Sequence, residues 1–232
     1  MRILWIALLA VLGFTVLAQD DYPIQRKTMV ETQLKARDIH DRATLVAMGK
    51  VPREQFVPKE YRIYSYKDGP LPIGEGQTIS QPYIVAYMTQ SLNLKPGQKV
   101  LEVGTGSGYQ AAVLAEIVDS VYTIEIVKDL GLRSRALLKA LGYHNVQVKI
   151  GDGYHGWPEK GPFDAIVVTA GAEVIPQPLI DQLKEGGRMI IPVGPHQGVR
   201  QLVRLEKKKG KITKKNVMAV RFVPFTRSDE RP

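Results

Sequence analysis

The run Val100-Leu101-Glu102-Val103-Gly104-Thr105-Gly106-Ser107-Gly108-Tyr109 limits what this chain can fold into more than any other segment. Strand-forming residues lead straight into glycines at alternate positions, and a helix-compatible stretch follows over 109–118. Glycines there let the backbone take positive φ and let a ligand come close to the main chain. A strand, a glycine turn and a helix in succession mark the opening unit of an open α/β sheet, whose ligands sit beyond the carboxyl ends of the strands. The alternation continues. Residues 99–103, 120–126, 146–150, 163–169 and 188–192 read as strands, and 130–141 and 178–183 as helices. This pattern predicts a mainly parallel sheet with helices on both faces.

Other parts flank that core. Residues 1–18 read as an export signal: Arg2, then an uncharged run from Ile3 to Ala18, then the abruptly polar Gln19-Asp20-Asp21. The run is shorter than the roughly 20 residues a membrane-spanning helix needs, so cleavage after Ala18 is expected, with no stable membrane insertion afterwards. The mature chain is then periplasmic or secreted. Residues 19–232 are expected to form a single domain of three parts. Residues 19–94 are an extra N-terminal helical segment, with helical apolar spacing over 26–48 and a glycine-containing loop over 61–81. Residues 95–200 are the core. Residues 201–232 hold an antiparallel hairpin, 201–205 against 217–225, and a tail.

The formal charge is +9, and Lys207, Lys208, Lys209, Lys211, Lys214 and Lys215 carry most of it. Such a cluster at a hairpin tip discourages edge-to-edge pairing, and it can also attract anionic partners. No aromatics are interleaved, so stacking on nucleic-acid bases is not expected. The chain has no cysteine, which excludes disulfides and thiolate chemistry.

The glycine spacing is G-x-G-x-G, not the dinucleotide G-x-G-x-x-G, and no P-loop occurs. Glu102 stands two residues before Gly104, where a carboxylate suits a cationic group such as an ammonium or sulfonium and repels a pyrophosphate. Glu125 ends the next strand at a spacing suited to ribose hydroxyls. Asp152, before Gly153, follows the third strand and can accept from an adenine amino group. Three acids after three consecutive strands describe a nucleoside-linked amino acid, S-adenosylmethionine. Acids at strand ends also cap helices, which is the structural alternative.

Several segments carry a resemblance. Leu71-Pro72-Ile73-Gly74, Gly76-Gln77-Thr78-Ile79-Ser80-Gln81-Pro82, the run from Leu101 to Tyr109, Gly151-Asp152-Gly153, Phe163-Asp164-Ala165-Ile166, Glu185-Gly186-Gly187-Arg188 and Val220-Arg221-Phe222-Val223-Pro224 resemble the protein-L-isoaspartate O-methyltransferase family over residues 28–226. The glycine run is shared by many methyltransferases. The Gln77–Pro82 and Val220–Pro224 segments are more specific. The resemblance implies a Rossmann-like methyltransferase sheet of seven strands, with methyl transfer to the free α-carboxyl of L-isoaspartyl residues in damaged proteins. It implies cofactor contacts from Thr78, Ile79, Glu102, Gly104, Thr105, Gly106, Gly108, Glu125, Asp152 and Gly153. It further implies Ser80 as the active-site residue and a substrate contact from Thr226. A monomer needing no metal is expected.

A substrate carboxylate is ionised at neutral pH, so its methylation needs no general base. No zinc-hydrolase or nucleophile-elbow motif is present, and His40, His144, His155 and His196 are scattered. Ser80 can donate to the acceptor carboxylate or cap the helix that begins at Pro82. Three alternatives remain open on sequence: a methyltransferase for another carboxylate or a small molecule, a nicotinamide dehydrogenase, which the glycine spacing and Glu102 disfavour, and a non-catalytic binding module built on the lysine hairpin.

Overall fold

The computed structural model describes residues 21–228. The export-signal expectation for 1–18 lies outside the described residues. The N-terminal segment begins with α1 (Tyr22–Thr28), capped by Asp21, which accepts from the Ile24 amide. It runs on into a π turn over Met29–Lys35 that buries Met29, Val30 and Leu34. The spacing over 26–48 is helical, but it divides into two helices. Asp41 ends the first stretch by starting α2 (Arg42–Lys50), its carboxylate accepting from the Thr44 amide at 2.8 Å and the Thr44 hydroxyl at 2.6 Å.

The stretch read as a loop contains a small ribbon, β1 (Leu71–Gly74) paired antiparallel with β2 (Gln77–Ile79). Gly74, Glu75 and Gly76 all take positive φ and close its turn. Two short exposed-to-buried strands without a long alternating pattern left little for sequence to signal. Helix α3 (Pro82–Ser91) follows, with proline at its first position.

The main sheet has seven strands: β3 (Lys99–Val103), β4 (Ser120–Glu125), β5 (Val146–Ile150), β6 (Phe163–Val168), β7 (Leu183–Val193), β8 (Arg200–Lys208) and β9 (Lys211–Val220). Their order is β5-β4-β3-β6-β7-β8-β9. The first five run parallel and the last two antiparallel. Strand order reverses at β3, between β4 and β6, which opens a crevice at their carboxyl ends. Helices α4 (Tyr109–Ala115), α5 (Lys128–Ala140) and α6 (Gln177–Asp181) complete the element set. Alternate strand residues feed two cores. Val100, Val121, Ala165 and Ile190 pack with apolar residues of α2–α5, and Leu101, Ile166, Met189 and Leu205 pack with Leu179 of α6, Trp157 and Phe225.

The terminal hairpin turns at Lys209-Gly210, both at positive φ, and the two amides donate to the Glu185 carboxylate. Lys207 reaches back to the Leu183 carbonyl at 2.9 Å. The strand expected over 217–225 is shifted toward the turn: β9 runs from Lys211 to Val220, so Lys211, Lys214 and Lys215 lie within it, and the chain leaves the ladder after Val220. Pro224 lacks an amide hydrogen and cannot continue a ladder. The chain leaves instead to cross the carboxyl edge of the sheet. There Gly171 donates to the Val223 carbonyl at 2.8 Å and Phe225 donates to Gly171 at 2.9 Å.

Candidate active site

The loop after β3 curls over β4: the amides of Gly104 and Thr105 donate to the Ile124 carbonyl at 2.9 and 3.2 Å. Gly104 sits at φ +98°, and a Cβ there would collide with Thr169 Oγ1. That hydroxyl donates to the Gly104 carbonyl at 2.5 Å, so a β6-end residue fastens the turn from the other side. Gly108, at φ +88°, opens α4. Side chains of Leu138 and Ser134 on α5 pack 3.2–3.5 Å from where its Cβ would be.

Strand register places Glu102 of β3 beside Thr123 of β4. A hydroxyl chain results. Thr105 and Thr123 are 2.6 Å apart, and Thr123 donates to Glu102 Oε2 at 2.5 Å. Glu102 is fully buried, and its Oε1 has no hydrogen-bond partner. Burial pushes its carboxyl up to about 8, against the Thr123 hydrogen bond and with the Glu125 charge adding to the rise. A buried orphan carboxylate oxygen is costly unless a donor or a cation meets it. Glu125 is pinned in place: Oε2 accepts from the Gly106 amide at 2.7 Å and Oε1 from Val127 at 2.9 Å.

These groups line a concave, solvent-open cleft with a mostly apolar wall and a few convergent polar groups, the kind of surface that holds a small-molecule ligand. Thr78, Ile79, Ser80, Glu102, Gly104, Thr105, Gly106, Glu125, Gly153 and Thr226 are all on its wall. Gly108 is not; it shapes the start of α4 behind the loop. Asp152 is not on the wall either, and its carboxylate is already engaged. Oδ1 accepts from Tyr154 N at 2.9 Å, and Oδ2 accepts from Arg227 Nε at 2.9 Å and from the Ser228 amide at 3.3 Å and hydroxyl at 3.2 Å. Burial alone would raise the Asp152 carboxyl, but hydrogen bonds from Arg227, Tyr154 and Ser228 outweigh it and hold the group below its ordinary value. The Arg227 guanidinium also stacks on Tyr154, 3.8 Å from the ring centre. Residues 223–228 therefore form a strap, fastened to Gly171 at one end and Asp152 at the other.

Ser80 follows β2. The residue that starts α3 is Gln81, in extended conformation, so Ser80 does not cap that helix. Among the described residues its hydroxyl has no hydrogen-bond partner. Ser80 lines both this cleft and an adjoining one, bounded by Gln81 and Ile84 on one side and Ala219, Arg221 and Phe222 on the other. Ser80, Thr78, Thr169 and Val223 are common to the two spaces. A donor held over the glycine bend and an acceptor in the cleft would meet at Ser80.

Sequence reading missed Thr123 and Thr169, as well as the Arg227–Asp152 fastening. None has a local signal, since each acts through a strand neighbour or across the sheet edge. Among the described residues no cluster of three or more acidic or histidine side chains could hold a metal ion.

Comparison with known proteins agrees with this geometry. The model of the family "Protein-L-isoaspartate(D-aspartate) O-methyltransferase" matches residues 24–230. A protein-L-isoaspartate O-methyltransferase of Opitutus terrae is 60% identical over 208 residues, covering 90% of this chain and 88% of its own length. One from Gloeobacter violaceus is 55% identical over 204 residues, covering 88% of this chain and 98% of its own. Among solved structures, a Plasmodium falciparum protein-L-isoaspartate O-methyltransferase in complex with S-adenosyl-L-homocysteine superposes with a TM-score of 0.76 at 31% identity, over 88% of this chain and 99% of that one.

Proposed function

Because this chain belongs to the protein-L-isoaspartate O-methyltransferase family, we propose that the cavity above its glycine bend takes S-adenosylmethionine and that Ser80 meets the acceptor carboxylate. The reaction is the S-adenosylmethionine-dependent methylation of L-isoaspartyl residues in protein repair. The single observation that carries the residue assignment is the junction of the two spaces at Ser80, with the orphan Glu102 oxygen on the donor side.

The bound cofactor supplies an electrophilic methyl group on a positively charged sulfur. The protein supplies place and field. Glu102 Oε1 would accept from the ammonium of the amino-acid part, and the pinned Glu125 would face the ribose hydroxyls. Gly104, Thr105 and Gly106 bring main chain close, while Gly153 and Phe225 would line the wall beside the base. Asp152, as the sheet-edge acid, supports the base side by holding the strap; a contact to the adenine amino group would add to its engaged oxygens. Thr78, Ile79 and Thr226 close the remaining wall. At the junction the Ser80 hydroxyl donates to one carboxylate oxygen of the isoaspartyl residue, leaving the other free to attack in line. No proton is removed, because the acceptor is already ionised. Excluding water strengthens the attraction between carboxylate and sulfonium. With the donor bound, the carboxylate oxygen oriented by Ser80 would take the methyl group as its bond to sulfur breaks, giving the methyl ester and S-adenosylhomocysteine.

Residues 19–232 would act as one methyltransferase unit and as a monomer. The Arg2-led uncharged run of 3–18 supports cleavage after Ala18 and a periplasmic or secreted enzyme; mass spectrometry of the exported N-terminus tests it, and a retained Met1 contradicts it. The catalytic reading is tested with labelled S-adenosylmethionine and two peptides that differ only in isoaspartyl or aspartyl linkage. Label is expected in the isoaspartyl peptide alone, and equal labelling of both removes the assigned specificity.

A further inference from the structure

Behind the Ser80 turn lies a cation that the chemistry above does not use. Arg53 opens the short helical turn Arg53–Phe56, and its side chain is fully buried. Nε donates to the Ser65 carbonyl at 2.7 Å, and Nη2 donates to the Ser80 carbonyl at 2.7 Å. The guanidinium lies 4.7 Å from the centre of the Tyr109 ring. Tyr109 is the first residue of α4, directly after the glycine loop, and lines the cavity. Among the described residues no carboxylate lies within ion-pair distance of Arg53. Its neighbour Glu54 is engaged by the Tyr66 hydroxyl and by Arg26 at 3.8 Å.

A buried cation without an ion-pair partner is a poor device for stability alone, since an apolar side chain of like volume would fill the space without the desolvation cost. What this one touches is informative. Ser80 is on the acceptor lip and Tyr109 is on the donor loop, and the guanidinium sits between them. A planar guanidinium donates in two fixed directions at once, which an ammonium cannot do.

We propose that Arg53 is a positioning residue for methyl transfer: it clamps the Ser80 peptide against the first turn of α4 and so fixes the distance from the Ser80 hydroxyl to the glycine bend. The bond on the Ser80 carbonyl and the bias that Pro82 places on Gln81 together restrain the main chain that carries the Ser80 hydroxyl. The inference rests on the Ser80 reading above.

The test measures kcat and KM for an isoaspartyl peptide, the dissociation constant of S-adenosylhomocysteine and the melting temperature, for wild type, Arg53→Met, Arg53→Lys and Ser80→Ala. Misplacing a reacting group by an ångström costs on the order of 100-fold in rate, so Arg53→Met should lose about that much kcat while cofactor-product affinity stays within about threefold. Arg53→Lys should recover part of the loss, to about tenfold below wild type, because it restores one of the two bonds. A folded Arg53→Met with kcat within about twofold of wild type overturns the proposal, as does a parallel fall of kcat and product affinity. Should Arg53→Met not fold, Arg53→Lys decides, and wild-type kcat in it overturns the proposal. Should neither fold, the side-chain N–H resonances of Arg53 in the wild-type protein decide. They should shift when isoaspartyl peptide is added to the S-adenosylhomocysteine complex, and no shift overturns the proposal. Full turnover in Ser80→Ala removes the Ser80 reading and this one with it; full turnover in Arg53→Met alone removes only this one.

Discussion

The donor half and the acceptor half of the site are built differently. The donor half is assembled from neighbours in the sheet: Glu102 beside Thr123, Gly106 on Glu125, and Gly104 under Thr169. The first joins register partners of adjacent strands, and the other two tie the loop after β3 to the ends of β4 and β6. The acceptor half depends more on single side chains. Its cleft lies between the β1–β2 ribbon end with the start of α3 and the end of β9 with the segment that leaves the sheet after it, and on each side a buried arginine holds a main-chain carbonyl. Arg53 takes Ser80, and Arg200 takes Phe222 at 2.8 Å. A sheet edge supplies position without added parts, whereas an irregular segment needs a rigid side chain to reach it. The donor half should therefore tolerate loss of a single hydrogen bond better than the acceptor half does.

The largest effect that can break this contrast is on the acceptor side. Ser80→Ala should lower kcat by about 100-fold or more and leave S-adenosylhomocysteine affinity within about threefold, as steady-state kinetics and calorimetry would record. Next is Gly104→Val. A β-branched residue at φ +98° is strained, and its Cβ would meet Thr169 Oγ1. Strain at such a position costs on the order of 1–3 kcal/mol, so S-adenosylhomocysteine binding should weaken by about tenfold to 100-fold, with a fall in melting temperature. Binding unchanged by Gly104→Val would mean that the glycine turn is not the donor cradle.

Glu102 sharpens the comparison through pH. Its carboxyl titrates near 8, so at neutral pH it is mostly protonated. A cationic ligand group favours the ionised form, and binding must then release a proton. Affinity for S-adenosylhomocysteine should rise with pH by up to about tenfold per unit below 8 and level off above it. Glu102→Gln should flatten that slope; a slope unchanged in the variant would remove Glu102 from the donor site. The sign for folding is opposite. The native chain holds a proton that the unfolded chain has lost between about 4.5 and 8, so this group's contribution to stability falls as pH rises through that window.

Smaller still is the strap. Arg227→Ala removes one of its bonds to Asp152 and leaves those from Ser228, and faster product dissociation, by about threefold, is expected in stopped-flow measurements. An unchanged off-rate would show that the strap does not retain the ligand. Exchanging Lys208, Lys211, Lys214 and Lys215 for serine should leave kcat/KM for a neutral isoaspartyl peptide within about twofold, because none of them lines either cleft. A large loss would give the lysines a role in substrate capture.

What the sequence discloses follows the same division. The strand, glycine turn and helix of 100–109 declare themselves because every requirement is local: apolar run, positive φ, helix start. Glu102 and Glu125 are legible because strand ends converge on one edge of a parallel sheet. Asp152 stands at the expected strand end, but its engagement by Arg227 and Ser228 depends on a chain reversal 75 residues later that no spacing announces. Arg53, between Pro52 and Glu54, reads as a solvated charge; only the fold buries it. Ser80 was ambiguous between cap and acceptor contact, and the extended Gln81 at the helix start decided against the cap. The split at Asp41 was present as a capping residue but was masked by apolar spacing continuous across it.

The most direct measurement is a crystal structure with S-adenosylhomocysteine and an isoaspartyl peptide bound together. The sulfur should lie over the Gly104–Gly106 bend, and one isoaspartyl carboxylate oxygen should lie about 2.6–3.0 Å from Ser80 Oγ, where the two spaces join. A nucleoside bound away from the bend, or a carboxylate held out of reach of Ser80, would contradict the shared junction on which both halves depend.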